Sequence, residues 1–100
     1  IPPRDRDVEW VMLGARLISG LDPKDYEAQF RRRFDPIFLP FLQKCVAAGY
    51  AVSENGVWHL TPKGFLVSNQ IIGRLLDAQA AEKQRRADAA ARGDFRVNLD

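Results

Sequence analysis

The amino-acid sequence predicts a mainly α-helical fold of winged-helix-like order: three helices, a small two-stranded β-hairpin and a long C-terminal helix. Three observations carry that expectation. Asp22-Pro23, Asp35-Pro36 and Thr61-Pro62 each set a capping side chain directly before a proline. Such a side chain accepts the free amide hydrogens of a first helical turn, and proline's missing donor is not needed there. Glu54-Asn55-Gly56 separates two short β-prone runs, and Asn-Gly readily takes positive φ. Apolar residues recur at helical spacing before, between and after these signals.

Taken in order, residues 1–7 read as a severed linker. Ile1-Pro2-Pro3-Arg4 is neither an initiator methionine nor a signal peptide, so a longer parent chain upstream is the natural expectation. Asp7 can cap a first helix from Val8 to Ser19, with Val8, Val11, Met12 and Ala15 on one stripe and Trp10, Leu13 and Leu17 on the next. So wide an apolar arc predicts burial on more than one side. Gly20 suits the left-handed helix end.

The second helix is expected from Asp22-Pro23 to about Arg33, with Tyr26 and Phe30 on one face. The third runs from Asp35-Pro36 to Ala48-Gly49. Pro40 would displace a hydrogen bond to the Pro36 carbonyl, so the helix proper is expected to begin at Pro40. Phe38, Phe41, Leu42, Cys45 and Val46 form its buried face. Tyr50 to Ser53 and Val57 to Leu60 are the hairpin strands. Thr61-Pro62 then opens a helix through Phe65, Leu66, Ile71, Ile72, Leu75 and Leu76.

An alanine-rich extension over 77–92 follows, supported by Glu82–Arg86 and Asp88–Arg92 pairs and expected to be exposed. Gly93 should end it, leaving 93–100 as a tail. The domain itself is expected over 8–76. Alanine enrichment near the end is the one low-complexity feature.

One hundred residues hold a single modest core. A composition of 46% hydrophobic and 28% charged residues is that of a globular domain rather than a disordered chain. No apolar run approaches the roughly 20 residues that cross a bilayer. A net charge of +2 is too small to imply nucleic acid or an anionic membrane. Cys45 is the only cysteine, which excludes an internal disulfide and any cysteine-built zinc or iron–sulfur site within this chain. A reducing, cytoplasmic setting is expected.

Two stretches resemble the C-terminal domain of the oxygen-independent coproporphyrinogen III oxidase family, which includes related haem chaperones. One is Val11-Met12-Leu13-Gly14-Ala15-Arg16-Leu17 with Gly20-Leu21-Asp22 behind it; the other is Leu60-Thr61-Pro62-Lys63-Gly64-Phe65-Leu66-Val67-Ser68-Asn69-Gln70-Ile71-Ile72. The resemblance covers Glu9 to Leu76. It implies a parent whose N-terminal barrel carries a three-cysteine motif, a 4Fe-4S cluster and S-adenosylmethionine. In such oxidases a 5′-deoxyadenosyl radical starts the oxidative decarboxylation of two porphyrinogen propionates; the chaperone-like relatives bind and deliver haem. The fragment holds no cofactor of its own under this reading. Its role would be to cover the parent's own barrel and help shape a site for porphyrinogen or haem, without catalysis alone.

Arg16, Lys63 and Asn69 are the candidate substrate-binding residues. The Arg16 guanidinium suits propionate carboxylates because it donates two parallel hydrogen bonds. Its plainer role is to cap the first helix or pair with a nearby acid. Lys63 could meet an acidic group or simply sit solvated at a junction, and Asn69 could hydrogen-bond backbone at an interface. His59, the only histidine, reads as a half-exposed wing residue rather than an axial ligand. Cys45 reads as a small core residue. Arg31-Arg32-Arg33 complements a helix C-terminus, and Trp10 and Trp58 read as core anchors.

Two rival functions remain. A winged-helix nucleic-acid binder needs base-reading side chains on its third helix, which offers only Gln43 and Lys44, and the Ser53 to Val57 wing has an acid and no base. No nucleic-acid partner is therefore expected. A protein-interaction module docking through the first helix merges with the family reading if the partner is the barrel.

Overall fold

Asp22 sits in extended backbone (φ −98°, ψ 112°) and its carboxylate accepts the Lys24 amide at 3.0 Å, so Pro23 begins helix α2 (Pro23–Phe30) as the sequence predicts. Thr61 does the same for the short helix α4 (Pro62–Leu66), accepting the Gly64 amide at 3.1 Å. The third signal works differently. Helix α3 (Asp35–Ala47) is preceded by Phe34, which is already helical and offers no side-chain cap. The Phe34 carbonyl accepts the Ile37 and Phe38 amides, and the Phe34 amide donates to the Glu27 carboxylate at 3.0 Å.

The chain is described here from a computed structural model over residues 6–16 and 20–99, with side chains as far as Ala91. The expected helix end at Ser19, its Leu17, and residues 1–5 of the expected linker lie outside the described residues. Helix α1 spans Arg6–Arg16, so Arg6 and Asp7 belong to a helix and not to a linker. Gly20 takes the left-handed conformation expected of it (φ +73°).

Helix α2 stops at Phe30, short of Arg33, because Arg31 itself turns left-handed (φ 58°) and donates its amide to the Glu27 carbonyl. Helix α3 starts at Asp35 and carries straight through Pro40, not beginning there as expected. The lost amide costs one hydrogen bond. Burial of Ile37 and Phe38 before it, with Leu42 and Cys45 beyond it, holds the helix together.

Strands β1 (Ala51–Glu54) and β2 (Val57–Leu60) pair antiparallel from Ala51↔Leu60 to Glu54↔Val57. Asn55 and Gly56 both have positive φ, which gives the two-residue turn whose twist matches the strands. The far edge of β2 is also occupied. Leu21 and Trp58 exchange two backbone hydrogen bonds, 2.8 and 2.9 Å, so the loop between α1 and α2 supplies a one-residue third strand.

The single helix expected from Thr61 is divided at Val67 (φ −120°, ψ 27°), where α4 gives way to α5 (Ser68–Leu99). Helix α5 crosses the expected boundary at 76/77 without a break. Its backbone also passes Gly93, so the expected stop there and the 93–100 tail are corrected to helix through Leu99. The exposed extension begins later than expected. Gln79 is buried, its amide nitrogen donating to the Asp7 carbonyl and the Tyr26 hydroxyl at 3.3 Å each. Lys83 reaches the Asp7 carboxylate at 3.0 Å, and Arg32 lies 3.8 Å from it. These contacts fasten α5 across the start of α1. Glu82 pairs with Arg85 and with Arg86, and from Gln84 to Ala91 the helix is exposed.

The core lies where the helices converge on the hairpin. Val11 from α1, Tyr26 from α2, Phe34 just before α3, Phe38 and Leu42 within α3 and Leu75 from α5 are each at most 1% exposed. Trp10 and Trp58 pack against this cluster from its edge, as the core anchors expected. Val46, assigned to the buried face of α3, is 42% exposed instead, and Ile37 takes the inward position. Gly73 has open space around it within α5. Gly73→Ala should therefore raise stability by about 0.5–1 kcal/mol, read as a higher urea midpoint, since alanine restricts the unfolded chain and favours the helix.

Candidate functional site

Arg16 ends α1 and Asn69 lies in the first turn of α5, and the fold brings these two candidates together across 53 positions of sequence. The Arg16 guanidinium donates to Asn69 Oδ1 at 2.6 Å, with both side chains exposed. A guanidinium has five N–H donors, so one hydrogen bond orients the group and leaves the others open to a carboxylate. Neither alternative for Arg16, a helix cap or a nearby acid, describes this contact.

Lys63 is held elsewhere. Its ammonium donates to the Ala48 carbonyl at 3.0 Å and stands 4.9 Å from the centroid of the Tyr50 ring. Ala48 caps α3, so Lys63 closes the end of that helix and adds a cation–π contact. The Thr61 hydroxyl donates to the neighbouring Gly49 carbonyl at 2.7 Å. Gly64 completes the lock. It is buried, and a Cβ there would run into the Tyr50 carbonyl oxygen. Leu-Thr-Pro-Lys-Gly is thus a clasp that fixes α4 onto the corner between α3 and β1.

The first family-like stretch has a glycine with a similar task. A Cβ on Gly14 would fall 2.6 Å from Leu21 Cδ2 and 3.1 Å from the Gly20 carbonyl, so α1 lies close against the loop that pairs with β2. These glycines went unassigned from sequence; a glycine inside a helix is the signal that could have found them.

Three large apolar side chains of the two stretches face outward: Leu13 at 59% exposure, Phe65 at 47% and Leu66 at 86%. Leu66 lies three residues before Asn69. Leu13 shows that the wide apolar arc of α1 is only partly used inside the domain.

The remaining candidates take structural positions. His59 is half-buried beside Gly20, whose added Cβ would meet its ring. Arg31 forms the left-handed end of α2, Arg32 approaches Asp7, and Arg33 is exposed. Trp10 donates its indole N–H to Asp25 at 2.7 Å, which with the Gln29 amide holds that carboxyl below the ordinary aspartate value. Cys45 is 3% exposed, and burial pushes its thiol up. Iodoacetamide should modify Cys45 at least about tenfold more slowly in the native chain than in urea, followed by mass spectrometry. Among the described residues no three His, Cys, Asp or Glu side chains form a group able to hold a metal ion. No helix among them is long and apolar enough to cross a membrane.

Helix order, hairpin and one-residue third strand define a winged-helix-like domain whose two most distinctive stretches clasp its corners. The model of the HemN C-terminal domain family matches residues 1–67, and the chain belongs to that family. The match ends at Val67, the joint between α4 and α5, so it includes Arg16 and Lys63 and stops short of Asn69. No curated protein and no solved structure matches the chain.

Proposed function

We propose that the chain is the accessory C-terminal domain of a radical S-adenosylmethionine protein of the coproporphyrinogen III oxidase kind, covering the mouth of the catalytic barrel and helping to shape a tetrapyrrole site. The family match over residues 1–67 carries this reading. The outward Leu13, Phe65 and Leu66 support it, because apolar surface of this kind is suited to cover by a second domain. The Arg16–Asn69 pair would face a propionate carboxylate, with Asn69 setting the guanidinium's direction. Lys63 acts in the clasp.

In this reading the 4Fe-4S cluster and S-adenosylmethionine belong to the barrel, since such clusters take several thiolates and this chain has one cysteine. The single free thiol also fits a cytoplasmic setting. The domain works by positioning and covering, and performs no chemistry alone.

Mixing the chain with a separately produced barrel of this protein class should give a one-to-one complex on size-exclusion chromatography. Leu66→Asp should weaken that complex at least about tenfold, as expected for a buried apolar contact replaced by a charge. Failure of the two parts to associate removes the covering role. A chain that alone loads a stoichiometric cluster from iron and sulfide, and cleaves S-adenosylmethionine, overturns the accessory reading.

A further inference from the structure

A cleft of about 250 Å³ opens between α3 and the first turns of α5. Phe41, Val67 and Ile71 give it apolar walls, and Cys45, Ala48 and the Tyr50 ring complete the lining. Polar side chains in its lining come from Lys44 on α3, from Tyr50, and from Gln70 and Arg74 on α5. No carboxylate lines it.

Two cations, Lys44 and Arg74, line this one cleft from different helices. Asp7 and Glu82 draw in Lys83, Arg32, Arg85 and Arg86, and Lys63 meets a carbonyl and a ring. Lys44 and Arg74 make neither an ion pair nor a side-chain hydrogen bond among the described residues. Two positive groups against one apolar hollow leave both an uncompensated charge and an uncovered surface. A single ligand type answers both: an anionic head on an apolar body.

We infer that this cleft binds a small amphipathic carboxylate, its apolar body between Phe41 and Ile71 and its head held by Lys44 and Arg74. The volume, just below the usual ligand-pocket range of about 300–1,000 Å³, suits a body of medium-chain-acid size. Arg74 can bind the head bidentately, Lys44 supplies a point charge, and the Gln70 amide can donate a further hydrogen bond. The inference goes beyond the accessory role and does not rest on it.

Titrating the isotopically labelled 100-residue chain with octanoate, followed by amide NMR, tests it. Octanoate should saturate with the largest shifts at Lys44, Gln70 and Arg74, while 1-octanol binds at least about tenfold more weakly and octylamine shows no saturation. Lys44→Gln and Arg74→Gln should each weaken octanoate about tenfold with unchanged circular dichroism, and Lys44→Arg should retain it. Equal affinity for octanol and octanoate, shifts centred elsewhere, or no saturable binding each overturn the inference. None of those results bears on association with a barrel, so the two readings fail separately.

Discussion

Gly64→Ala should destabilise the folded chain by about 3 kcal/mol and lower its melting temperature by about 12–24 °C, because one added carbon meets a backbone oxygen that has nowhere to go. The oxygen belongs to Tyr50. That residue's carbonyl already accepts the Thr61 amide at 3.0 Å, and its own amide donates to the Cys45 carbonyl at 2.8 Å. Both sides of the Tyr50 backbone are therefore tied. A flexible side chain in its place would swing aside; a doubly bonded peptide cannot. Alanine's better helix propensity offsets only about 1 kcal/mol of the collision. Gly73→Ala makes the same chemical change in open space and carries the opposite sign, so paired thermal melts separate backbone crowding from propensity. If Gly64→Ala melts with the wild type, the clasp at the α3–β1 corner is not as tight as described.

Phe34→Ala should cost about 4 kcal/mol, a large share of the roughly 5–15 kcal/mol by which small domains are stable. Phe34 has no exposed surface. Its ring lies 4.8 Å from that of Phe38, 5.8 Å from Tyr26 and 6.3 Å from Trp10, measured between centroids. Removing it empties the place where α1, α2 and α3 meet, and the tilted and edge-on contacts of those rings go with it. Urea unfolding should show the loss as a lower midpoint at unchanged slope. Phe34→Leu, which refills most of the volume, should cost less than half as much. A midpoint unmoved by Phe34→Ala would contradict the packing of these three helices.

Much of the fold was legible because its signals are local. Asp22, Thr61, Gly20 and the Asn55-Gly56 turn each act within a few residues of their own position, and each behaves as its chemistry predicts. What escaped depends on distant partners. The Leu21–Trp58 bridge is one residue wide and leaves no periodicity to read. Gln79 looks like one more polar residue in an alanine-rich helix until Asp7 and Tyr26 arrive from 72 and 53 positions away. Phe34, between two helix signals and without a role in either, proves to be core. The break at Val67 separates two segments that both favour helix, so nothing local announces it.

The candidate site divides along the same line. Side-chain chemistry and membership of the family-like stretches make Arg16, Lys63 and Asn69 candidates. Three-dimensional contact then couples Arg16 to Asn69 and assigns Lys63 to a helix end. The Lys44–Arg74 cleft had no sequence signal, because its charges come from different helices and meet at one cleft only once folded.

The fastening of Asp7 by Gln79 and Lys83 has a consequence for biosynthesis. Peptides leave the ribosome amino end first, so the earliest described helix must wait while more than seventy further residues are translated before its polar anchor can close. Until then Asp7 keeps its water and Tyr26 lacks the amide that meets its hydroxyl. Folding of this unit is thereby timed to the synthesis of α5, after any preceding domain has had the opportunity to mature.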